Sequence, residues 1–338
     1  MTCLMVDIEG LNLSPDDIRR IKHPVVGGLI FFARNYKDKE QLRDLVFEVR
    51  NIRNDLLIAV DHEGGRVQRF RDAFTLIPDM DFIGQLYDQD KNKAKKVAQS
   101  VGWIIAKELG GLGIDFSFTP VLDINYGSSS VIGNRSFHRN IEPIIFLSSA
   151  LHEGLNFGGM QGVGKHFPGH GYIKADTHLE KAIDSRSFEE IRTHDIKTFE
   201  ALIQVGLLGI MPSHVIYSAC DSNPAGLSDF WLKSTLRDKL KFQGAIFSDD
   251  MSMNAAVSCA DNICNRVTMA LSAGCDMVLV CNSPKDVDLL LENLAWLTSG
   301  QSVTRLKQMR LNTRKNQATV YLDDSFEEIQ KFISNIKK

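Results

Sequence analysis

Short apolar runs recur along this chain at intervals that leave room for a helix between them, and each run is closed by glycine or a polar turn. Eight of them read as strands: Cys3 to Ile8, Gly28 to Ala33, Leu56 to Val60, Asp115 to Leu122, Gly159 to Gly164, Leu207 to Pro212, Gly244 to Phe247 and Asp276 to Val280. They lack the in/out alternation of a half-exposed sheet, as expected when both faces are buried, and parallel neighbours of that kind need a crossover helix between them. Such helices are visible as apolar stripes, for example Val97, Val101, Ile104, Ile105 and Leu109, which share one face at helical spacing. Eight successive strand-helix units predict an α/β protein built as a closed (β/α)8 barrel over about residues 1–298, with two further helices at about 303–315 and 325–337 outside it. An open doubly wound sheet is the alternative, and the lack of a GxGxxG turn after any strand counts against its dinucleotide-binding version.

The 338 residues suit a barrel of this size, and no linker, repeat or low-complexity segment divides them, so a single domain over 1–338 is expected. A net charge of -3 with no basic stripe argues against nucleic acid and anionic membranes as partners. The N-terminus MTCLMVDIEG carries Asp7 and Glu9 and reads as a strand rather than a secretion signal, and no window approaches the ~18 apolar residues of a spanning helix. The six cysteines contain no CxxC pair and lie in apolar or helical surroundings, which fits reduced thiols in a cytoplasmic protein. No partner chain is called for, and a monomer is expected.

Barrel enzymes carry their chemistry at the C-terminal ends of the strands, and polar residues fall there repeatedly. The third strand runs into Asp61, His62, Glu63 and two glycines, followed by Arg66 and Arg69. The fourth leads to Asp123 and a loop with Arg135, the fifth to Lys165 and His166, the sixth to His214, and the seventh to Ser248, Asp249 and Asp250. One charged residue after a strand is a solvated turn; five occupied ends out of eight call for another explanation. Densest of all is KHFPGHGYIKADTH from Lys165 to His178, with two lysines, three histidines and Asp176 around a glycine-rich turn. Gly169 and Gly171 there predict a loop able to take positive φ and to move, so the segment Gly169 to Ala182 reads as a flap.

DHEGGRVQRF from Asp61, VIGNRSF from Val131, KHFPGHG from Lys165, ADTH from Ala175 and FSDDMSM from Phe247 occur in an order that resembles the single-domain bacterial β-N-acetylglucosaminidases of glycoside hydrolase family 3. The resemblance spans nearly the whole chain. Family members often have Gln where His62 stands and Ser where Thr177 stands; neither change removes a group the chemistry needs. The resemblance implies a barrel, a retaining mechanism, no metal or organic cofactor, and the recycling of cell-wall saccharide fragments in the bacterial cytoplasm.

It further implies that Asp249 is the nucleophile, that His178 is the acid/base with Asp176 as its orienting partner, and that Asp61, Arg69, Arg135, Lys165 and His166 bind the sugar. Residue chemistry is compatible with each role. A carboxylate at the end of a buried strand is well fixed for attack, and an imidazole whose ordinary pKa is near neutrality can both give and take a proton. Asp250 reads instead as a residue that caps or orients the following segment, Arg66 as half of a structural ion pair, and His170 and His214 as loop-shaping or pocket-lining groups. Two rival functions stay in view. A metal-dependent barrel hydrolase could draw ligands from His62, His166, His170, His178, His214 and Asp249, although no HxH or HExxH spacing is present; a silent sugar-binding protein would not need Asp249 or His178.

Overall fold

The computed structural model describes residues 2–173, 182–253, 256, 262–294, 298–316, 320–321 and 324–336. Eight parallel strands organise it: β1 (Leu4–Val6), β2 (Val26–Phe31), β3 (Leu57–Val60), β4 (Phe116–Ser117), β5 (Val163–Phe167), β6 (Gly209–Pro212), β7 (Ala245–Ile246) and β8 (Val278–Val280). They form a five-stranded sheet in the order β8-β1-β2-β3-β4 and a three-stranded sheet in the order β7-β6-β5. Isolated parallel bridges join the two sheets at both seams, Val121 to Lys165 on one side and Phe247 to Met277 on the other. Hydrogen bonds run across each seam, from Val163 N to Thr119 O at 2.8 Å and from Ser248 N to Met277 O at 2.9 Å.

All eight expected strands exist, with altered bounds that have physical causes. The fourth was expected over Asp115 to Leu122 but pairs regularly only at Phe116–Ser117, because Pro120 has no N–H to give the ladder. The fifth was expected over Gly159 to Gly164; the strand instead begins at Val163 and carries Lys165 and His166 within it. Gly158 and Gly159 belong to the end of the preceding helix Ile141–Phe157, Gly159 taking φ of 85° to turn the chain, so small residues that resembled a strand are a helix stop. The C-terminal prediction of a helix over 303–315 also changes. The chain forms Gly300–Gln308, breaks, and resumes at Thr313–Asn316, because the interruption docks on other segments: Leu311 N donates to Asp115 and Asn312 N to Gly159 O. The last helix, Phe326–Asn335, lies within the range expected for it.

The stripe Val97, Val101, Ile104, Ile105 and Leu109 is fully buried in helix Lys91–Gly110. That helix packs on Ile141–Phe157 with little space between backbones: a Cβ on Gly102 would lie 2.0 Å from the Leu151 carbonyl oxygen, and one on Gly154 2.0 Å from that of Gln99. Inside the strands, Phe116, Phe118 and Phe247 meet with ring centroids 5.1 to 5.7 Å apart, tying β4 to the end of β7. Phe118 also forms part of the floor of the large cavity above it, so the apolar interior and the cavity share a wall.

Removing that shared support should be costly. Phe116→Ala is expected to lower the free energy of unfolding by about 3–5 kcal/mol, read from urea or guanidinium titration, because it empties a fully buried aromatic site among rings that cannot collapse into it. A loss below ~1 kcal/mol would mean the cluster is not a load on stability.

Candidate active site

A cavity of about 610 Å³ opens at the C-terminal ends of the strands. Its lining includes Asp61, Arg69, Arg135, Lys165, His166 and Asp249, so every described residue named from the sequence as catalytic or sugar-binding comes together there. Asp176 and His178 lie outside the described residues, as does most of the expected flap. At its near end, Gly169 does take positive φ, at 147°, whereas Gly171 is required for proximity: a Cβ there would sit 1.8 Å from the Ile124 carbonyl oxygen.

Charge is arranged in interlocked pairs. Lys165, only 3% exposed, donates from Nζ to Asp61 at 2.9 Å and contacts Glu63 at 2.6 Å. Arg135 grips the other side of Glu63 with two parallel bonds of 2.9 and 2.8 Å, a fork that fixes both partners. Arg69 donates to Asp61 at 3.1 Å and stacks over Phe32 with its guanidinium carbon 5.5 Å from the ring centre. His166 is seated on Asp123, which accepts from Nδ1 at 2.6 Å, while its Nε2 lies 3.4 Å from an Arg135 nitrogen. Lys165 and His166 are neighbours on β5 yet both line the cavity; the ladder shifts register between Lys165 and Phe167, where the Lys165–His166 peptide is cis.

Burial acts on all these carboxylates in the direction of protonation, and their partners reverse it. Lys165 and Arg69 outweigh burial at Asp61 and hold it well below the usual carboxylate range. Arg135 and Lys165 do the same for Glu63, bringing it from an ordinary 4.5 to about 2. At Asp123 burial is outweighed by His166 and by the backbone N–H of His170. Asp249 is also lowered: burial is overcome chiefly by His214, with the Asp250 N–H and Lys165 adding to it. One Asp249 oxygen accepts from that N–H at 2.8 Å, and the other has no hydrogen-bond donor among the described residues. Asp249 is thus an ionised carboxylate beside clustered donors, with one oxygen that accepts no hydrogen bond from the described residues.

Asp250 does structural work in this geometry. Its Oδ1 accepts from the N–H groups of Ser252 and Cys281, both at 3.0 Å, and its Oδ2 from the Ser252 hydroxyl at 2.6 Å, so it ties the segment after β7 to the end of β8. His214 donates from Nε2 to the Asp250 carbonyl, 2.9 Å away. Arg66, expected in an ion pair, instead donates to the backbone carbonyls of Ser130 and Val131 and has no carboxylate partner among the described residues. His62 is not a cavity residue: it is buried against Phe70 and Phe74, and burial with repulsion from Arg71 and Arg69 lowers its pKa to about 3. His170 lines the cavity with neither ring nitrogen partnered among the described residues.

Glu63 and Asp123 stand at strand ends but are not among the site residues expected from the sequence. The signal was available in the excess of cations over assigned carboxylates: Lys165, Arg69 and Arg135 need more than Asp61 to be buried together. A glutamate lowered in the folded state stabilises it fully above the ordinary pKa of 4.5, and that contribution is lost as pH falls toward about 2. Glu63→Gln should therefore lower unfolding free energy by about 3–5 kcal/mol near neutrality and flatten the acid limb of the stability curve across that window. Unchanged urea midpoints at neutral pH would remove Glu63 as the hub of the cluster.

Comparison with known proteins agrees with this arrangement. Residues 4–314 match the model of the glycosyl hydrolase family 3 N terminal domain. A β-hexosaminidase of Methylobacillus flagellatus is 52% identical over 307 residues, covering 90% of this chain and 88% of that protein. Among solved structures, NagZ from Neisseria gonorrhoeae in complex with N-trifluoroacetyl-D-glucosamine superposes with a TM-score of 0.91 at 41% identity, covering 98% of this chain and 97% of that one. The same gonococcal protein in complex with a zinc ion gives a TM-score of 0.91 at 40% identity, over 98% and 97% of the two chains. The matched span takes in all eight strands and the whole described cavity, and on that ground the chain belongs to glycosyl hydrolase family 3.

Proposed function

We propose that this chain is a retaining exo-β-N-acetylglucosaminidase that removes terminal N-acetylglucosamine from peptidoglycan fragments, N-acetylglucosaminyl-1,6-anhydro-N-acetylmuramic acid with or without its peptide, during cell-wall recycling in the cytoplasm. The observation that carries the reading is the ionised Asp249 carboxylate in one cavity with Asp61, Lys165, His166 and Arg135. The sugar identity draws support from the relatives named β-hexosaminidase and from the gonococcal complex with an N-acylated glucosamine. Cell-wall fragments and the cytoplasm follow from the family resemblance; no helix among the described residues is long and apolar enough to cross a membrane. The eight strands are proposed to close into a (β/α)8 barrel in a single domain acting as a monomer, and the bridges at both seams between the sheets support closure.

In this reading Asp249 attacks the anomeric carbon and the leaving sugar takes a proton from His178, whose ring is held by Asp176. Water then enters, His178 accepts its proton, and the glycosyl-enzyme ester is cleaved with net retention. The cationic and carboxylate groups that share the cavity with Asp249 hold ring hydroxyls, so that binding energy is applied to the distorted, positively charged ring of the transition state. The metal-dependent alternative is disfavoured by Lys165, whose ammonium, paired with Asp61 and Glu63, puts a cation beside His166, one of the ligands that alternative needs. Measuring turnover of aryl β-N-acetylglucosaminide against aryl β-glucoside and β-xyloside, with and without chelator, separates these readings: preference for the N-acetyl sugar and indifference to chelator are expected.

Asp249→Asn should keep the fold and lose nearly all turnover, since shape is retained and the attacking charge removed; a folded variant with near-normal rates would end the assignment. His178→Ala should cost roughly 10²–10⁴-fold on a disaccharide and far less on an activated aryl glycoside, whose leaving group needs little protonation. Equal losses on both substrates would remove His178 as the acid. Asp176→Ala should follow the same pattern more mildly.

A further inference from the structure

Asp123 is 1% exposed and is assigned no part in binding or chemistry above, yet its carboxylate meets His166 from two directions. Oδ2 accepts from the ring Nδ1 at 2.6 Å, and the backbone N–H of His166 reaches the two oxygens at 3.3 and 3.2 Å. Oδ1 also accepts from the backbone N–H of His170 at 2.7 Å. On its far edge, the His166 ring presents Nε2 to Arg135 at 3.4 Å.

The hydrogen-bonding capacity of those partners fixes the proton. A guanidinium can only donate, so the nitrogen facing Arg135 must carry a lone pair; an ionised carboxylate can only accept, so the nitrogen facing Asp123 must carry the hydrogen. Both constraints select the same neutral tautomer, protonated on Nδ1. The Nδ1 contact is short and strong, whereas 3.4 Å to Arg135 is too long to satisfy Nε2 well. An acceptor lone pair is thereby left at the cavity wall, beside donors that are already committed to Asp61 and Glu63.

We propose that Asp123 is a positioning residue for the hydrolysis: it locks His166 in the Nδ1–H tautomer so that Nε2 accepts a hydrogen bond from a sugar hydroxyl. This rests on the sugar-hydrolase reading of the cavity. Without Asp123 that hydroxyl would meet, beside His166, the donors Lys165 and Arg135 and the carboxylates Asp61 and Glu63 already paired with them. Asp123→Asn exposes the dependence, because the two backbone N–H groups cannot change character and claim the amide oxygen. The amide NH2 is then turned to Nδ1, which must become the acceptor. The ring proton moves to Nε2, where it confronts the Arg135 donors and can no longer accept.

The test uses the full chain labelled with ¹⁵N at histidine. In the wild-type protein the His166 ring is expected to show a protonated Nδ1 and a bare Nε2, and Asp123→Asn is expected to reverse them. kcat/KM for an aryl β-N-acetylglucosaminide should fall roughly 10- to 100-fold in Asp123→Asn, and the double variant with His166→Ala should be no worse than His166→Ala alone. A wild-type ring protonated on Nε2 overturns the proposal, and so do losses that multiply in the double variant. The wild-type spectrum requires neither turnover nor a variant that folds, so it decides on Asp123 even if the sugar reading of the cavity fails.

Discussion

The ammonium of Lys165, lodged between Asp61 and Glu63, is the interaction around which the mouth of this protein is built. Ionised groups taken out of water at the rim of an apolar interior each cost several kcal/mol, recovered only when partners are close and hydrogen bonds complete. Asp61, Glu63, Asp123 and Asp249 gather there, and Lys165, Arg69, Arg135 and His166 are distributed among them so that no carboxylate near the centre is left with burial alone. Because Glu63 holds Lys165 on one side and Arg135 on the other, the positions of two donors are set by one acceptor. Arg135 in turn faces His166, which sits on Asp123, and the chain of contacts extends from β3 to β5 with no exposed link.

Such a network demands a rigid frame. The frame is the set of short parallel strands whose ladders and seam bridges fix the backbone at the point where each polar side chain departs. Below them, Phe116, Phe118 and Phe247 fill the interior, and Phe118 reaches the cavity floor. The same apolar packing that stabilises the fold supplies the low-dielectric wall against which the charged cluster acts, so stability and preorganisation share atoms. Asp249 and Asp250 illustrate the division of labour at one strand end. Adjacent on the chain, they face different surroundings: Asp249 lines the cavity with one oxygen unshared among the described residues, and Asp250 spends both oxygens on the backbone and hydroxyl groups of the neighbouring segments.

Much of this was legible from residue order alone. Continuous apolar runs separated by helical stripes announced eight buried parallel strands, since a strand covered on both faces has no reason to alternate. The clustering of Asp61, Arg69, Arg135, Lys165, His166 and Asp249 was foreshadowed by their location at or just beyond the C-terminal ends of strands, Lys165 and His166 lying within the last residues of β5. Less visible were the ends of elements. Gly158 and Gly159 terminate a helix rather than begin a strand, because glycine serves equally in a left-handed cap and in a tightly packed strand, and the local sequence does not distinguish the two.

Partnership was the harder matter. Composition and motif order were sufficient to establish which chemical groups stand at the strand ends, the acidity of the chain and the family pattern, because these depend on residue type and spacing along one dimension. The sequence could not say that Glu63 would serve two cations, that Asp123 would sit beneath His166, that Arg66 would bind carbonyls instead of a carboxylate, or that His62 would be buried among phenylalanines. Those outcomes depend on distances between residues tens of positions apart, and hydrogen bonds and ion pairs decay within a few ångströms, so they are decided only when the strands bring their ends together in space.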